Sequence, residues 1–288
     1  MKKLLFQLDT DNKPSAFDIV VAYDGGADHV SSYASITPDN VKPIVEGCIF
    51  TRAPKDKKNT AIFVGGSDLD AGQQLFEAIQ KQFFSNFRVS LMLDSNGANT
   101  TAAACIAMLT KVANVKGMNA VILGGTGPVG QRAAVMLAQE GVQVSITGRQ
   151  FEKTKKVTDT INKRFSVDIS PFAAPELQDR QEITKNMDIV IATGAAGIVL
   201  LDAATWQNSQ TIKLLADANA SPPAGIEGIE MMDKGNDRFG KKTFGSIGFG
   251  SLKLALHRKC IEKLFQANNV ILDANEIYAL AKDMIKEQ

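Results

Sequence analysis

Short apolar runs alternate along the chain with longer segments in which apolar residues recur at the spacing of a helix. The runs are rich in branched and aromatic residues, which predicts buried strands. They are Leu4 to Leu8, Thr60 to Val64, Phe87 to Leu93, Asn119 to Leu123, Met187 to Thr193 and Ile212 to Ala216. Helices are predicted for Asp70 to Phe84, Asn99 to Val112, Phe151 to Phe165, Leu252 to Gln266 and Asn275 to Lys286. Strands that alternate with helices predict an α/β protein with parallel sheets.

One stretch joins two predicted strands through a glycine-rich turn. The turn Gly124 to Gly130 follows the first strand, and a helix is predicted to start inside this turn, where Pro128 suits a first helical turn. Val142 to Thr147 then alternates as the second strand. Such a G-x-G-x-x-G turn brings the backbone and a helix N-terminus close to a pyrophosphate. A structural turn is the alternative. We predict a dinucleotide site that contains Gly125, Thr126, Gly127, Pro128, Val129 and Gly130.

The end of the second strand predicts which dinucleotide is preferred. An NAD-selective site usually places an acid there, whereas this strand ends at Arg149 and Gln150. Arg149 can pair with a 2′-phosphate, and Lys153 lies one helical turn further on. The alternative is that Arg149 is a solvated surface base. The pattern therefore favours NADP, with NAD bound more weakly.

Composition narrows the class of protein. The 288 residues include 32 Lys and Arg against 31 Asp and Glu, so no basic field favours nucleic acid or an anionic membrane. Three scattered cysteines and the lack of a long apolar run predict free thiols and a cytoplasmic protein. Two histidines outside any ligand spacing predict no metal site. Because hydrolase and phosphotransferase motifs are also missing, hydride transfer remains.

The order of elements predicts two domains with a cleft between them. The first would hold residues 1–113 plus 252–288, and a Rossmann-type doubly wound sheet would hold 114–251. Loops after two strands of the second domain place Ala195 and Asn219 near the cofactor, although ordinary turn chemistry explains those loops equally well. Residues 233–242 are predicted to be a polar loop. The Ala-rich run Asn99 to Val112 and the C-terminal helices offer apolar surface beyond the needs of one domain, which predicts a homo-oligomer.

Several polar side chains are candidates to face the cleft. Asp94 follows an apolar strand, and Asn96, Thr100 and Thr101 follow it closely; helix capping is the alternative reading. Asp18 lies in a segment, Phe17 to Tyr23, that suits a helix or a strand. The glycine-rich run before Leu252 predicts that Lys253 lies in the first turn of a helix. A cation is disfavoured there, so a specific acceptor is expected, against the reading of a solvated base.

Several motifs together resemble a known family. They include Phe6 to Asp11, Tyr23 to His29, Leu93 to Gly97 with Asn99 to Ala103, Pro222 to Ile226, and Leu252 to Leu254 with Leu256 to Arg258. The chain resembles the NADP-dependent methylenetetrahydromethanopterin dehydrogenases of methylotrophic bacteria over nearly its whole length. The resemblance implies a two-domain α/β subunit in a trimer or a multiple of one, a pterin substrate, and NADP on the second domain. It also implies a catalytic role for Lys253 and substrate contacts for Phe17, Asp18 and His257.

The resulting functional expectation is hydride transfer from a methylene carbon to NADP. Methylene-tetrahydromethanopterin, or methylene-tetrahydrofolate, would be oxidised to the methenyl cation. Asp18 and Asp94 would favour the developing positive charge, and Lys253 would orient polar atoms of the pterin. Two alternatives remain open at this point: an NADP-dependent dehydrogenase of another small substrate such as a cyclic keto acid, and a catalytically silent NADP-binding regulator.

Overall fold

The computed structural model describes residues 1–287, and it contains two sheets in which every strand pair but one is parallel. The first sheet has the order β12-β4-β3-β1-β2. Its strands are β1 (Leu4–Asp9), β2 (His29–Tyr33), β3 (Thr60–Gly65), β4 (Ser90–Leu93) and β12 (Ile271–Leu272). The helices α1 (Ala16–Asp24), α2 (Lys42–Phe50) and α3 (Leu69–Gln80) connect its first four strands. This sheet thus takes its fifth strand from the far end of the chain.

The core of this first part lies between the sheet and helices α2 and α3. Val45 and Ile49 from α2 and Leu75 and Ile79 from α3 pack with strand residues such as Ile62, and all five are at most 1% exposed. Burial of each such side chain stabilises the fold by about 1.5–3 kcal/mol before conformational entropy is subtracted. Strand β3 is buried along its whole length because it is central. This rigid layer supports the loops at the carboxyl ends of β1, β3 and β4.

The second sheet has the order β10-β11-β9-β8-β5-β6-β7. Its strands are β5 (Asn119–Leu123), β6 (Gln143–Gly148), β7 (Ile169–Ala173), β8 (Ile189–Ala192), β9 (Leu214–Asp217), β10 (Lys234–Arg238) and β11 (Lys241–Phe244). Its helices are α4 (Ala98–Val112), α5 (Pro128–Gln139), α6 (Phe151–Phe165), α7 (Leu177–Thr184) and α8 (Ala203–Gln207). The order from β7 to β11 is that of a doubly wound dinucleotide-binding sheet, whose direction reverses between β5 and β8. The predicted α/β class with parallel sheets is confirmed.

Two long helices, α9 (Ser246–Leu264) and α10 (Ala274–Lys286), complete the described chain. Contacts divide it into two compact units. The first holds Met1–Thr100 and Leu254–Met284, and the second holds Thr101–Lys253 with the last described residues from Ile285. The predicted domain limits, 1–113 plus 252–288 and 114–251, remain a prediction about the functional domains. Within the described residues no helix is long and apolar enough to cross a membrane.

The polar loop predicted for residues 233–242 is wrong, because this segment forms the hairpin β10–β11. Phe239 and Gly240 connect its strands, and their φ angles of 53° and 73° are those of a two-residue turn that matches the strand twist. The dipeptide Asn-Gly is the usual sequence signal of such a turn. Here Phe239 takes the place of the asparagine, so the sequence did not predict the hairpin.

The predicted start of the helix around Leu252 is also wrong, since α9 begins at Ser246. Two of the three glycines before Leu252, Gly245 and Gly248, serve close packing, whereas Gly250 has open space around it. A Cβ on Gly245 would lie 2.1 Å from the carbonyl oxygen of Glu230, and one on Gly248 would lie 1.8 Å from that of Asp233. Lys253 is therefore in the third turn of α9, and the argument from an unfavourable helix dipole does not apply to it.

The segment between α3 and β4 also differs from its prediction. Helix α3 ends at Gln80 and not at Phe84, and β4 begins at Ser90 and not at Phe87. Between them Ser85 has a φ of 45°, and Phe84 and Phe87 exchange two backbone hydrogen bonds across a tight bridge. This turn places both phenylalanine rings at the surface.

Candidate functional site

The glycine-rich turn connects β5 to α5, and its three motif glycines differ in their surroundings. A Cβ on Gly125 would lie 2.7 Å from Cβ of Ile146, and one on Gly130 would lie 2.6 Å from Cα of Gly125. Packing therefore explains these two glycines. A Cβ on Gly127 would meet its nearest atom, the carbonyl oxygen of Gly124, only at 3.9 Å. The fold therefore does not require glycine at Gly127, whereas close approach of a ligand to the backbone would.

The first turn of α5 presents its backbone N–H groups without a capping side chain among the described residues. Gly127 is the N-cap and Pro128 occupies the first helical position, where its missing N–H costs nothing. Gln131 holds the turn in shape, since its Nε2 donates to the carbonyl oxygen of Thr126 at 2.8 Å. Thr126 and Val129 are half-buried beside these groups. Free N–H groups at the positive end of a helix form an anion site.

The end of β6 carries exposed polar side chains at the start of a second helix. Arg149, Gln150 and Lys153 are all exposed. Gln150 is the N-cap of α6, and within the described chain no side chain caps that helix either. Gly148 precedes them because Thr154 crowds the backbone: a Cβ on Gly148 would lie 2.2 Å from the hydroxyl oxygen of that threonine. Two cations and an uncapped helix start thus occupy one corner of the sheet.

The loops after β8 and β9 complete this edge of the second sheet. Ala195 is exposed in the first loop. In the second, the buried carboxylate of Asp217 accepts from the backbone N–H of Asn219 at 2.9 Å and from that of Ile226 at 2.8 Å. Asp217 thereby holds both ends of the loop that contains Asn219. Burial raises the pKa of Asp217, and its backbone hydrogen bonds only partly oppose this shift.

At the first sheet, the buried carboxylate of Asp94 directly follows β4. It accepts from the backbone N–H of Thr100 at 3.1 Å and from the hydroxyl of Thr100 at 2.6 Å. Nδ1 of His257, which is also fully buried, lies 3.9 Å from the same carboxylate. The ring centroids of Phe63 and Phe17 lie 5.6 and 6.3 Å from the centroid of the His257 imidazole. The structure therefore brings Phe17, Asp94, Thr100 and His257 together, although α9 is remote in sequence.

Asp18 lies at the neighbouring strand end. A Cβ on Gly65 would lie 3.2 Å from a carboxylate oxygen of Asp9 and 3.6 Å from one of Asp18, so both acids border the end of β3. Asp9 accepts from the backbone N–H groups of Asp11 and Ser15, which fixes the loop after β1. Three carboxylates thus surround the carboxyl edge of the first sheet.

The remaining candidates lie near these groups in sequence but differ in exposure. Asn96 is exposed and has a φ of 55°, and its N–H donates to the carbonyl oxygen of Gly66 at 2.7 Å. Thr101 is half-exposed on α4. Lys253 is half-buried on α9 and is the last residue of the second unit before Leu254. In the described chain no group of three or more His, Cys, Asp or Glu is placed to hold a metal ion.

Sequence reasoning missed Asp217 as a residue that shapes the site. Its only local signal was its position directly after an apolar strand, which many surface acids share. It also missed Thr193, whose hydroxyl donates to the carbonyl oxygens of Leu123 and Gly124 at 3.3 Å. These contacts join the glycine-rich turn to the end of β8. A hydrogen bond between residues seventy positions apart produces no local pattern from which a sequence could predict it.

Comparison with protein families gives two matches that divide the chain. Residues 16–96 match the N-terminal domain of methylene-tetrahydromethanopterin dehydrogenase. Residues 107–219 match shikimate and quinate 5-dehydrogenase. Among solved structures, shikimate 5-dehydrogenase from Listeria monocytogenes is 12% identical over 99% of this chain and 96% of its own, with a TM-score of 0.54. At this identity the likeness concerns the fold alone.

Two proteins of Methylorubrum extorquens match the chain from end to end. One is described as the bifunctional protein MdtA; it is 53% identical over 98% of this chain and 99% of its own. The other is an NAD(P)-dependent methylenetetrahydromethanopterin dehydrogenase, 28% identical over 98% of this chain and 99% of its own. With the glycine-rich turn and the Asp94 motif in place, the chain belongs to the methylenetetrahydromethanopterin dehydrogenase family.

Proposed function

We propose that this protein oxidises methylene-tetrahydromethanopterin to the methenyl form with NADP as hydride acceptor, and that methylene-tetrahydrofolate is a second substrate. Family membership supports the reaction class. The observation that carries the cofactor assignment is Gly127, whose missing side chain leaves room that no packing contact explains. A pyrophosphate at the uncapped start of α5 would use that room.

The proposed cofactor site extends from the glycine-rich turn to the start of α6. The turn residues Gly125, Thr126, Gly127, Pro128, Val129 and Gly130 would surround the pyrophosphate. Pro128 has no N–H group, and the N–H of Gly125 already donates to the carbonyl oxygen of Thr147 at 3.0 Å, so the N–H groups of Thr126, Val129 and Gly130 would face the anion. Arg149 and Lys153 would pair with the 2′-phosphate at the uncapped start of α6, with Gln150 beside them. Ala195 and Asn219 would contact the ribose and nicotinamide. NAD, which lacks the 2′-phosphate, would bind more weakly.

The proposed substrate site uses the carboxyl edge of the first sheet. Phe17, Asn96, Thr100, Thr101 and His257 would contact the pterin-bound substrate. When bound, the nicotinamide supplies the hydride acceptor. Asp94 and Asp18 place negative charge where the substrate becomes a cation, and Thr100 keeps Asp94 fixed through two hydrogen bonds. Carboxylates fixed before the reaction need no reorganisation as charge develops.

Lys253 is proposed to position the substrate by binding its polar atoms. Its place in the third turn of α9 gives it no dipole penalty, so this role is supported by the family resemblance alone. We also propose that the functional domains follow the predicted limits, that the protein works in the cytoplasm, and that it is a homo-oligomer.

The test is an assay of NADP reduction with each methylene carrier in parallel, followed at the absorbance of NADPH. Reduction with methylene-tetrahydromethanopterin supports the proposal, and reduction with the folate carrier supports the second substrate. NADP binding without turnover of either carrier would favour a regulator. Turnover of a cyclic keto acid instead would favour another dehydrogenase.

A further inference from the structure

Helix α2 turns an apolar face to the solvent. Val45, Cys48 and Ile49 are buried in the core on its inner side. On the opposite side Pro43, Gly47 and Phe50 are exposed, and they share one face because they are four and three residues apart. An apolar helix face normally packs against another element or a partner, and α2 has such a face on the side opposite its core contacts.

Charge is confined to one flank of this helix. Lys42 and Glu46 are its two charged residues, and they lie 3.8 Å from one another as an exposed pair. Gly47 adds a second signal. A Cβ there would meet no atom of the described residues within 4 Å, so the fold of one chain does not require glycine in this helix. Glycine costs about 1 kcal/mol in a helix interior, and close approach of another backbone is its usual compensation.

The apolar face of α2 lies between a cluster of aromatic side chains and a surface pocket. On one side Phe50, Phe84 and Phe87 form an exposed aromatic cluster, with ring centroids 5.0 to 6.3 Å apart. Beneath it the buried Lys57 places Nζ 3.9 Å from the centroid of Phe87 and donates to the backbone of Asn86. The contacts of Lys57 therefore fix the aromatic cluster as a projection on the surface, which we call the knob.

On the other side of the helix lies a shallow, mainly apolar pocket of about 570 Å³. Phe6 and Tyr33 form one wall, with their rings stacked at 6.4 Å. Residues from α2 and the turn after it, including Ile44 and Gly47, form the other. We propose that a second copy of this chain binds this face, with the aromatic cluster of each copy in the pocket of another. The inference assigns a surface to the self-association that the proposed function includes.

The exposed area favours a second copy as the occupant. Tyr33, Phe50, Phe84 and Phe87 are 39, 56, 52 and 38% exposed. At roughly 200 Å² per ring this is about 370 Å² of aromatic surface. A stable interface needs about 800 Å² per partner, a little over half of it apolar, so these rings supply most of that apolar share. One surface that bears both the aromatic cluster and the pocket is complementary to a second copy of itself, as a contact between identical subunits requires when the same surface is used on both.

Analytical ultracentrifugation at micromolar concentration tests the assignment. We expect the wild-type protein to sediment as a multiple of 31.0 kDa. Phe50→Asp should reduce the mass to that of one chain. Gly47→Glu should do the same, and it should not impair folding because a side chain has open space there and glutamate suits a helix. Phe239→Asp is the matched control, since Phe239 is 67% exposed in the other unit and should leave the assembly unchanged.

Cross-linking tests the knob and the pocket directly. The three natural cysteines are buried, and burial raises the pKa of Cys48 and of Cys105 to about 12, so engineered cysteines are the reactive ones. A mixture of Tyr33→Cys and Phe84→Cys proteins should give more disulfide-linked pairs than either variant alone. Equal yields would overturn the proposal, as would a wild-type mass of 31.0 kDa or intact assemblies of both α2 variants. Because no substrate is present, a failure of the dehydrogenase assignment leaves these readings unaffected.

Discussion

At the end of β4, the site consists of side chains that are already bonded to one another, as Asp94 is to Thr100. At the end of β5, it consists of backbone around Gly127, with little side chain at all. The two edges have the same position in a parallel sheet, yet one is a buried charged cluster and the other an open helix start. The first suits a ligand that becomes a cation, and the second suits one that is already an anion.

Substitution of Lys253 has the largest expected effect. It tests whether the carboxylates at the edge of the first sheet are sufficient for catalysis without this lysine. Lys253→Ala should reduce turnover roughly 100-fold or more through misplacement of the reacting carbon, with NADP affinity nearly unchanged. Steady-state rates at saturating NADP and a cofactor titration measure this. Lys259→Ala, on the exposed side of the same helix, is the control. Turnover within a few-fold of wild type would remove Lys253 from the site.

The glycines of the turn distinguish packing from binding. Gly130→Ala should destabilise the fold by about 1–3 kcal/mol, because its Cβ would overlap Gly125. Gly127→Ala should cost less than about 1 kcal/mol of stability, yet it should weaken NADP binding at least tenfold, about 1.4 kcal/mol. Urea unfolding and a cofactor titration of both variants provide the comparison. Unchanged NADP affinity for Gly127→Ala would contradict the ligand-based reading of this glycine.

Arg149 tests which anion the open edge selects. Arg149→Ala should reduce NADP affinity by about 1–3 kcal/mol, the usual cost of a charge-assisted contact, and should leave NAD affinity nearly unchanged. Lys155→Ala is the matched control on α6, since Lys155 pairs with Asp159. If both cofactors lose affinity equally, Arg149 does not contact the 2′-phosphate. A remaining preference for NADP would point to Lys153.

Asp233 and Asp217 of the second unit have shifted pKa values, so each makes the unfolding free energy depend on pH. We expect effects of about 1 kcal/mol or less. Burial alone raises the pKa of Asp233, but hydrogen bonds from Arg238 and Thr243 outweigh it and bring that pKa below 3.8. Its contribution to stability is present above pH 3.8 and is lost as pH falls through the lowered pKa. Asp233→Asn should therefore flatten the acid limb of a plot of unfolding free energy against pH.

Asp217 should behave in the opposite sense. Burial raises its pKa above 3.8, so the folded protein keeps a proton that the unfolded chain has lost. Stability should therefore decline as pH rises from 3.8 towards the raised pKa, and Asp217→Asn should remove that decline. Urea unfolding from pH 3 to 7 measures both variants. Curves that match the wild type would contradict the pKa assignments.

Local pattern was sufficient for the backbone-built edge. The predicted strand and the helix predicted to start inside the glycine-rich turn lie within a few residues of one another, and both elements are confirmed as β5 and as α5, which begins at Pro128. Prediction from sequence was weaker where the role of a residue depends on contacts with residues far away in the sequence. The glycines at 245 and 248 indicated a turn, but they lie inside or next to a helix packed on residues 230–233.

The side-chain edge shows the same limit. Asp94 and Thr100 are six residues apart, and the sequence indicated both as candidates because they flank one turn. The burial of His257 beside them was not predictable from position, since it depends on the packing of α9 against Phe63.

The origin of β12 has a consequence for synthesis of the chain. Residues 271–272 pair with 91–92, so the first sheet lacks its fifth strand until residue 272 has left the ribosome. The second sheet draws its strands from residues 119–244 and needs none of the last forty residues for its ladder. Domains generally fold as units as they emerge, and non-local pairing is slow. The N-terminal sheet, although made first, is therefore the one completed last, and chains truncated before Ile271 should expose one edge of β4 to aggregation.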